Sequence, residues 1–415
     1  MNEKNEIGTQ VAVARSSWLN RNVVGMALTS FLSDTCHEMA TTVLPGFLTV
    51  LGAPPMALGF IEGAADAVSS FVKLWGGWIS DRIVHRKWLV ASGYLLTGIS
   101  MALFAIAASW FLVLVGRVVG WFGKGFRGPA RDAMLADSVD PSVRGRAFGF
   151  HRFGDTLGAI VGPLIGVGLL HFWRPLAGAD PSRPFRNIFL MTLIPGVLSA
   201  VVVAAMIVER QRKKNHQLKF WGTVRSLPEN FRRFLLGAGL FGIGDFAPTL
   251  LILAATQLLT PMYGLAHAAE LAGLMYVFRN TTYALASFPI GALSDKFSRK
   301  ALLALGYLLA TATITGFILA FQFGWTGAPY LFILFGFAGI FIAAEDTLES
   351  AITADLISPE TRGIGMGVLG TVNGIGDFVA SFMVGALWSV VSPVAGFSVA
   401  AVLMLIGAIA MWRVR

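Results

Sequence analysis

Twelve apolar runs of about 18 to 28 residues follow one another along the chain, separated by short polar turns and one long basic linker. At about 1.5 Å per residue, such a run wound as a helix crosses the roughly 30 Å hydrocarbon core of a bilayer. A soluble fold of 415 residues has no place to hide so much apolar surface: 55% of the residues are hydrophobic and 13% charged, against about 25% charged in soluble domains. The chain reads as an all-α membrane protein. Its first six runs are Val23 to Val50, Ala57 to Ser80, Trp88 to Ala108, Leu112 to Ala136, Ala147 to His171 and Ile188 to Val208. The second six are Phe234 to Leu258, Ala268 to Leu293, Ala301 to Phe321, Tyr330 to Ala354, Gly365 to Val390 and Val394 to Met411. The 47 glycines agree with this reading, because small residues let helices approach closely in lipid.

Lys and Arg crowd the turns after spans two (Arg82, Arg86, Lys87), four (Arg144, Arg146), eight (Lys296, Arg299, Lys300) and ten (Arg362), and the linker Glu209 to Arg233. By the positive-inside rule these turns, the linker and both termini are cytoplasmic, which makes this a multi-pass protein of the inner (cytoplasmic) cell membrane. The expected organisation is a cytoplasmic tail over 1–20, an N-terminal six-helix bundle over 21–208, the basic linker over 209–233 and a C-terminal six-helix bundle over 234–415. The net charge of +9 resides in these turns, so it reports topology and not nucleic-acid binding. Cys36 is the only cysteine, so no intrachain disulfide forms. The first run is too long for a signal-peptide core and reads as a retained helix.

The two sets of six are copies. Shifting by 218 positions lays Ala133 to Gly149 (AMLADSVDPSVRGRAFG) on Ala351 to Gly367 (AITADLISPETRGIGMG), with seven of seventeen positions identical, among them Asp137/Asp355, Pro141/Pro359 and Arg144/Arg362. Average residue usage gives about one identity by chance. Carried back along the helix, the register sets Arg127 opposite Glu345 and Arg131 opposite Glu349. Corresponding places in the two halves thus carry opposite charge, and either a gate or a cavity with one cationic and one acidic wall follows.

Charges inside the spans are costly in lipid, about 2.5 to 3.5 kcal/mol each at a helix centre on an insertion scale, so they belong against protein or water. Lys124, Arg127 and Arg131 recur at i, i+3, i+7 and share one helix face. Asp34, His37 and Glu38 at i, i+3, i+4 bring two carboxyls and an imidazole together, a candidate proton-carrying group. The same trio is a weak candidate for a divalent metal, since imidazole and carboxylate suit such ions. A metalloprotease helix is excluded, because Thr41 stands where the second histidine of H-E-x-x-H is required. Further intramembrane charges are Glu62, Asp66 and Lys73 in span two, His151, Arg152 and Asp155 in span five, Asp245, Arg279 and Asp377. The spacing favours a His151–Asp155 pair, and Arg279 is placed to neutralise Asp245 or Glu345.

After span two, Gly77-Trp-Ile-Ser-Asp81-Arg82-Ile-Val-His85-Arg86-Lys87 resembles the G-x-x-x-D-R-x-G-R-K loop of the major facilitator superfamily of transporters, and Gly291-Ala-Leu-Ser-Asp295-Lys296-Phe-Ser-Arg299-Lys300 after span eight repeats it. Both copies lack the second glycine, with Val84 and Ser298 in its place. Asp81 there can accept from backbone N–H groups or from Arg82, Arg86 or Arg144, with Asp137 a further member of the network. Span five carries Gly149, Gly158, Gly162, Pro163 and Gly166, similar to the G-x8-G-x3-G-P-x2-G signature of the superfamily's proton-linked antiporters and suited to a close, bent helix contact.

This resemblance implies twelve transmembrane helices in two pseudo-symmetric six-helix bundles, working by alternating access and without enzymatic chemistry. It also implies that spans one, four, seven and ten line a central cavity. Asp34, His37, Glu38, Asp155, Asp245 and Asp377 are then the proton-coupling candidates. Lys124, Arg127, Arg131, Arg279, Glu345 and Glu349 are the cavity or gate candidates. The chain has no G-x-x-x-x-G-K-[ST] loop for ATP, so a proton gradient is the expected driving force, with no cofactor. The expected partners are a small-molecule solute and the lipid bilayer, the protein acting as a monomer. Efflux of an organic compound leads, followed by proton-coupled uptake of an organic anion or metabolite and by movement of a divalent metal.

Overall fold

The computed structural model describes residues 19–82, 85–139, 144–176, 178, 180–209, 227–294, 296–357 and 362–413. Among these, the regular structure is helical throughout. The first half runs α1 (Arg21–Val50), α2 (Pro55–Arg82), α3 (Arg86–Ala102), α4 (Trp110–Asp137), α5 (Arg144–Trp173), α6 (Arg183–Met191) and α7 (Leu193–Met206). The second runs α8 (Glu229–Gly242), α9 (Thr249–Tyr263), α10 (Leu265–Ser294), α11 (Arg299–Phe323), α12 (Ala328–Leu356), α13 (Arg362–Val390) and α14 (Pro393–Arg413). Seven helical stretches are long and apolar enough to cross a membrane on composition alone. Helices α1, α2 and α4 are as long, at 30, 28 and 28 residues, but carry the buried charges described below. With α6–α7 and α8–α9 each counted as one span, the fold is twelve spans in two six-span halves. The 218-residue register survives folding: α4 and α12 begin at Trp110 and Ala328, α5 and α13 at Arg144 and Arg362.

Spans six and seven are not the continuous helices that hydropathy alone suggests. The break in span six falls at buried Thr192, whose hydroxyl turns back onto Phe189 O at 2.6 Å. In span seven the helix unwinds between Gly242 and Thr249. Pro248 lacks the N–H to continue a helix, and Gly244 lies so close to α14 that a Cβ there would sit 2.7 Å from Ala400 O. Asp245 falls within this unwound stretch.

One end of the bundle holds the turns next to the linker; the other, the far end, holds Leu51, Trp173, Gly264 and Val391. At the linker end, Glu209 accepts from the backbone N–H groups of Arg86 (2.6 Å) and Lys87 (3.4 Å) and so caps α3. Arg86 reaches Asp137 at 3.5 Å, and the second half repeats the contact between Arg299 and Asp355 at 2.5 Å. Gly77, Asp81 and Arg82 lie in α2 and Arg144 begins α5; the side chains of Asp81, Arg82 and Arg144, like Asp295 itself and residues 210–226, lie outside the described residues, while Gly291 is in α10 and Lys296 is exposed.

The halves meet along two seams. On α2 and α13, Met56 N donates to Ser389 Oγ (2.8 Å), and Cβ atoms at Gly59 and Gly374 would lie 2.0 Å from Ser381 O and from Ser70 Oγ. On α5 and α10, Arg174 pairs with buried Glu270 (3.1 Å), which also lies 3.2 Å from His171 Nδ1 and 3.3 Å from His267 Nδ1, and deeper in Asn280 donates to Ala159 O (2.8 Å). The hydrogen bonds joining described residues of the two halves run from the far end to the level of Asn280.

Candidate functional site

Helix α5 fixes the position of α1 with a glycine row. Cβ atoms at Gly154, Gly158 and Gly162 would lie 2.5, 2.5 and 2.8 Å from the carbonyls of Ala27, Phe31 and Thr35, and at Gly166 3.1 Å from that of Met39. The working period is therefore four residues, which includes Gly154, and α5 passes Pro163 as one helix; the surroundings of Gly149 lie outside the described residues. This contact sets Asp34 and Glu38 beside Gly158 and Gly162.

His37 lies between the two carboxyls. Its Nδ1 is 3.1 Å from Ser33 O and 3.4 Å from Asp34 Oδ1, while Nε2 is 3.4 Å from Glu38 Oε1. Ser33 O can only accept, so Nδ1 carries a hydrogen; Nε2 then faces a carboxylate oxygen, and the contact is bonded only when a proton sits between them. Glu38 also accepts from Tyr276 Oη of α10, at 3.0 Å, across the boundary between the halves. Asp34 contacts Asp155 of α5, which is itself held by Arg152 at 3.2 Å. The i, i+4 pair expected between His151 and Asp155 does not form. His151 Nε2 is instead 2.7 Å from Ser30 Oγ, because Ser30 on α1 presents its hydroxyl to that face of α5.

The basic stripe of α4 points inward against the same cluster. Arg117, 1% exposed, donates to Glu62 Oε2 at 2.9 and 3.2 Å and to Thr41 Oγ1 at 3.1 Å. Its guanidinium stacks 3.8 Å above the Trp121 ring, whose Nε1 donates to Asp66 Oδ1 (2.7 Å) and whose edge meets His37 at 5.6 Å; Lys124 Nζ is 5.2 Å from the same ring. Asp66 thus binds Trp121, and Lys73, seven residues along, is exposed. Arg127 donates to Thr97 Oγ1 (2.5 Å) and Ser33 Oγ (2.9 Å) over the face of Tyr94 (3.9 Å). Arg131 is paired with its neighbour Asp132 at 2.9 Å, beside a cavity of about 330 Å³ lined by Arg131, Asp132, Phe148, His151 and Arg152.

The second half answers with acids. Glu349, 3% exposed, accepts from Tyr307 Oη (2.5 Å) and Asn373 Nδ2 (2.7 Å). Glu345 lies one turn before it and contacts Asp245. Arg279 donates to Asn280 Oδ1 (3.0 Å) and makes no ion pair with Asp245 or Glu345. Asp377 is half-buried one turn beyond Asn373. In this conformation the register partners do not meet: Arg127 and Arg131 are occupied within the first half and Glu349 within the second, so neither Arg127–Glu345 nor Arg131–Glu349 closes as a gate. Register gives equivalence under pseudo-symmetry, which places two residues at matching positions in separate bundles without bringing them into contact. No group of three or more His, Cys, Asp or Glu side chains is disposed as a metal site among the described residues.

Sequence reasoning passed over Trp121, Tyr276 and Tyr307, and the role of Asn373, which bind the charges it had marked, and over Glu270, which gathers Arg174, His171 and His267 at the far end. For Trp121 a signal existed, since Arg117, Trp121 and Lys124 at i, i+4, i+7 share one face of α4. Tyr276 and Glu270 act across the halves, and no local spacing announces that.

The family model described as Major Facilitator Superfamily matches residues 26–277 and 234–415. An uncharacterized MFS-type transporter of Methanocaldococcus jannaschii is 29% identical over 388 residues, 94% of this chain and 93% of that one. A more distant relative, the multidrug resistance protein MdtH of Photorhabdus laumondii, is 29% identical over 126 residues, 30% of this chain and 31% of its own. Among solved structures, a bacterial homologue of the human lysosomal transporter Spinster, in an inward-facing and occupied conformation, superposes with a TM-score of 0.72 at 18% identity, over 94% of this chain and 96% of that one. Twelve spans in two duplicated halves, charges turned inward at the middle of the membrane and a family match over nearly the whole length lead to one assignment: the chain belongs to the Major Facilitator Superfamily of membrane transporters.

Proposed function

We propose that this transporter exports a small organic compound in exchange for protons, and that the contact between His37 and Glu38, bridged to Tyr276, links proton occupancy to the movement of the halves. The carrying observation is that Glu38 Oε1 faces His37 Nε2 at 3.4 Å while Glu38 Oε2 holds Tyr276 of the other half at 3.0 Å. A charged acceptor makes a hydrogen bond about twice as strong as a neutral one. A proton moving onto Glu38 therefore weakens a bond that ties α1 to α10, and an equilibrium between two states shifts by the difference in proton affinity between them. With the linker end taken as cytoplasmic, closure at the far end corresponds to an inward-facing state, in which the trio is reached from the cytoplasm. The likeness to a multidrug resistance protein supports export of an organic compound.

A thermal-shift screen of amphipathic organic cations, organic anions and divalent metals on the purified protein selects the cargo, since a ligand that prefers the folded form raises its melting temperature. Flux of that cargo in proteoliposomes should then depend on the pH gradient and move against the proton, and Glu38→Gln should abolish the dependence. Flux that follows the proton inward replaces export by uptake. A Glu38→Gln protein whose flux keeps the same dependence on the gradient overturns the role of the trio.

A further inference from the structure

At the far end four side chains meet across the seam: Arg174 and His171 from the first half, His267 and Glu270 from the second. Arg174 Nη1 lies 3.1 Å from Glu270 Oε1 and 3.1 Å from His267 Nδ1, yet the buried Glu270 Oε1 receives no hydrogen bond. The guanidinium N–H is therefore aimed at the histidine, and its contact with the carboxylate is one of charge alone. A guanidinium only donates, so His267 Nδ1 accepts and the ring is neutral, with its hydrogen on Nε2. The same Nδ1 is 3.3 Å from Glu270 Oε2, and an ionised carboxylate only accepts. One nitrogen cannot serve both neighbours: without a hydrogen it holds Arg174 of the other half, and with one it turns to Glu270 of its own helix. His267 keeps 41% of its side chain exposed, so protons reach it.

A proton on Nδ1 takes the place of the hydrogen from Arg174. The bond between the halves is then exchanged for one within α10, and two cations are left 3.1 Å apart. His171 works the other way, since its Nδ1 is 3.2 Å from Glu270 Oε2, but at 69% exposure its ion pair is a weak surface one. With both rings neutral, Arg174 faces the single negative charge of Glu270. With both protonated, the positive charges of Arg174 and His171 face Glu270 and His267, whose charges cancel, so the attraction between the halves is gone. The helices packed on α10 add nothing at this level: α1 beyond Glu38, α5 between Asp155 and His171, α9, and α12 before Glu345 hold no charged residue. Tyr263 meets the His267 ring at 5.5 Å, and Asp180 and Arg186 are tied to Ser182. We propose that His267 is a proton-operated catch at the far end, which ties the halves together through Arg174 when neutral and releases them when protonated. Histidine changes charge between about pH 5 and 8, so acid on that side favours the state open to it. The catch is separate from the trio of the first half and does not depend on the identity of the cargo.

Distances between spin labels on the two halves at the far end, measured on the whole protein in lipid nanodiscs, read the catch directly. In wild type the population open at that end should rise several-fold as the pH falls from about 8 to about 5. His267→Gln gives Arg174 an acceptor that takes no proton, and should stay closed in acid. His267→Arg carries its charge at every pH, and should already be open at the alkaline end of the range. His171→Gln should keep the acid response, and so should Glu38→Gln, which removes the proton site of the first half. A wild type that does not open in acid, a His267→Gln protein that opens as wild type does, a His267→Arg protein that stays closed, or a response lost in His171→Gln or Glu38→Gln overturns the proposal.

Discussion

The two halves share a backbone plan and differ in how they hold charge. Both repeat a glycine at a close helix crossing: a Cβ at Gly158 would lie 2.5 Å from Phe31 O, and at Gly376, 218 positions later, 2.7 Å from the carbonyl carbon of Gly242. Both pin the linker end with an Arg–Asp pair at the heads of α3 and α11. Inside, they part ways. The first half sets a basic stripe on α4 against acids on α1 and α2, so that Arg117 and Glu62 neutralise each other and Arg127 lies over Tyr94. The second half puts acids on α12 and meets Glu349 with a hydroxyl and an amide, and at the position matching Arg117 it has buried Phe335. Duplication thus kept the contacts that set helix positions, and the groups facing the middle of the membrane diverged into one charge-balanced cluster and one that is short of positive charge.

That contrast is open to test by matched substitutions. Arg117→Met strands Glu62 as an unpaired buried charge and should cost about 3 to 5 kcal/mol of stability, read as a fall in melting temperature in detergent; Phe335→Leu, at the matching site, should cost no more than about 1.5 kcal/mol. An equal loss would show that charge pairing is not what separates the halves. Tyr307→Phe removes a 2.5 Å bond to a carboxylate and should cost about 1.5 to 3 kcal/mol. In the first half Tyr94→Phe gives up a 3.4 Å contact with Ser30 and its contact with Arg131 while keeping its face on Arg127, so its cost should be about 0.5 to 1.5 kcal/mol. Gly158→Ala and Gly376→Ala should each cost about 1 to 3 kcal/mol by forcing backbones apart, and closely similar losses would confirm that the glycine crossings are equivalent. At the far end Glu270→Gln leaves a partly exposed ion pair broken, an effect of about 1 kcal/mol. Distances between spin labels on the two halves should then report a roughly five-fold gain in the population open at that end.

Much of the architecture was legible in the linear chain. Twelve spans, the duplication and its 218-residue register were there because lipid imposes a single solution on an apolar run, an internally bonded helix. Only two spans departed from that reading, and they did so where Pro248 with Gly244, and Thr192, interrupt the helix. The partners of the charges were another matter. Periodicity along one helix says which side chains share a face, so the cluster of Asp34, His37 and Glu38 and the stripe of α4 could be read directly. Which helix faces them depends on packing between segments far apart in sequence. Arg127 was set against Glu345 by register and is bonded to Ser33 and Thr97 in space, and Tyr276 reaches Glu38 over 238 positions. What the sequence alone determined was where the chain crosses the membrane and how its halves correspond, because hydropathy and repetition are local and additive. What only the tertiary structure decided was which buried charges meet, because ion pairing falls off within a few ångströms and those distances are set by how the helices pack.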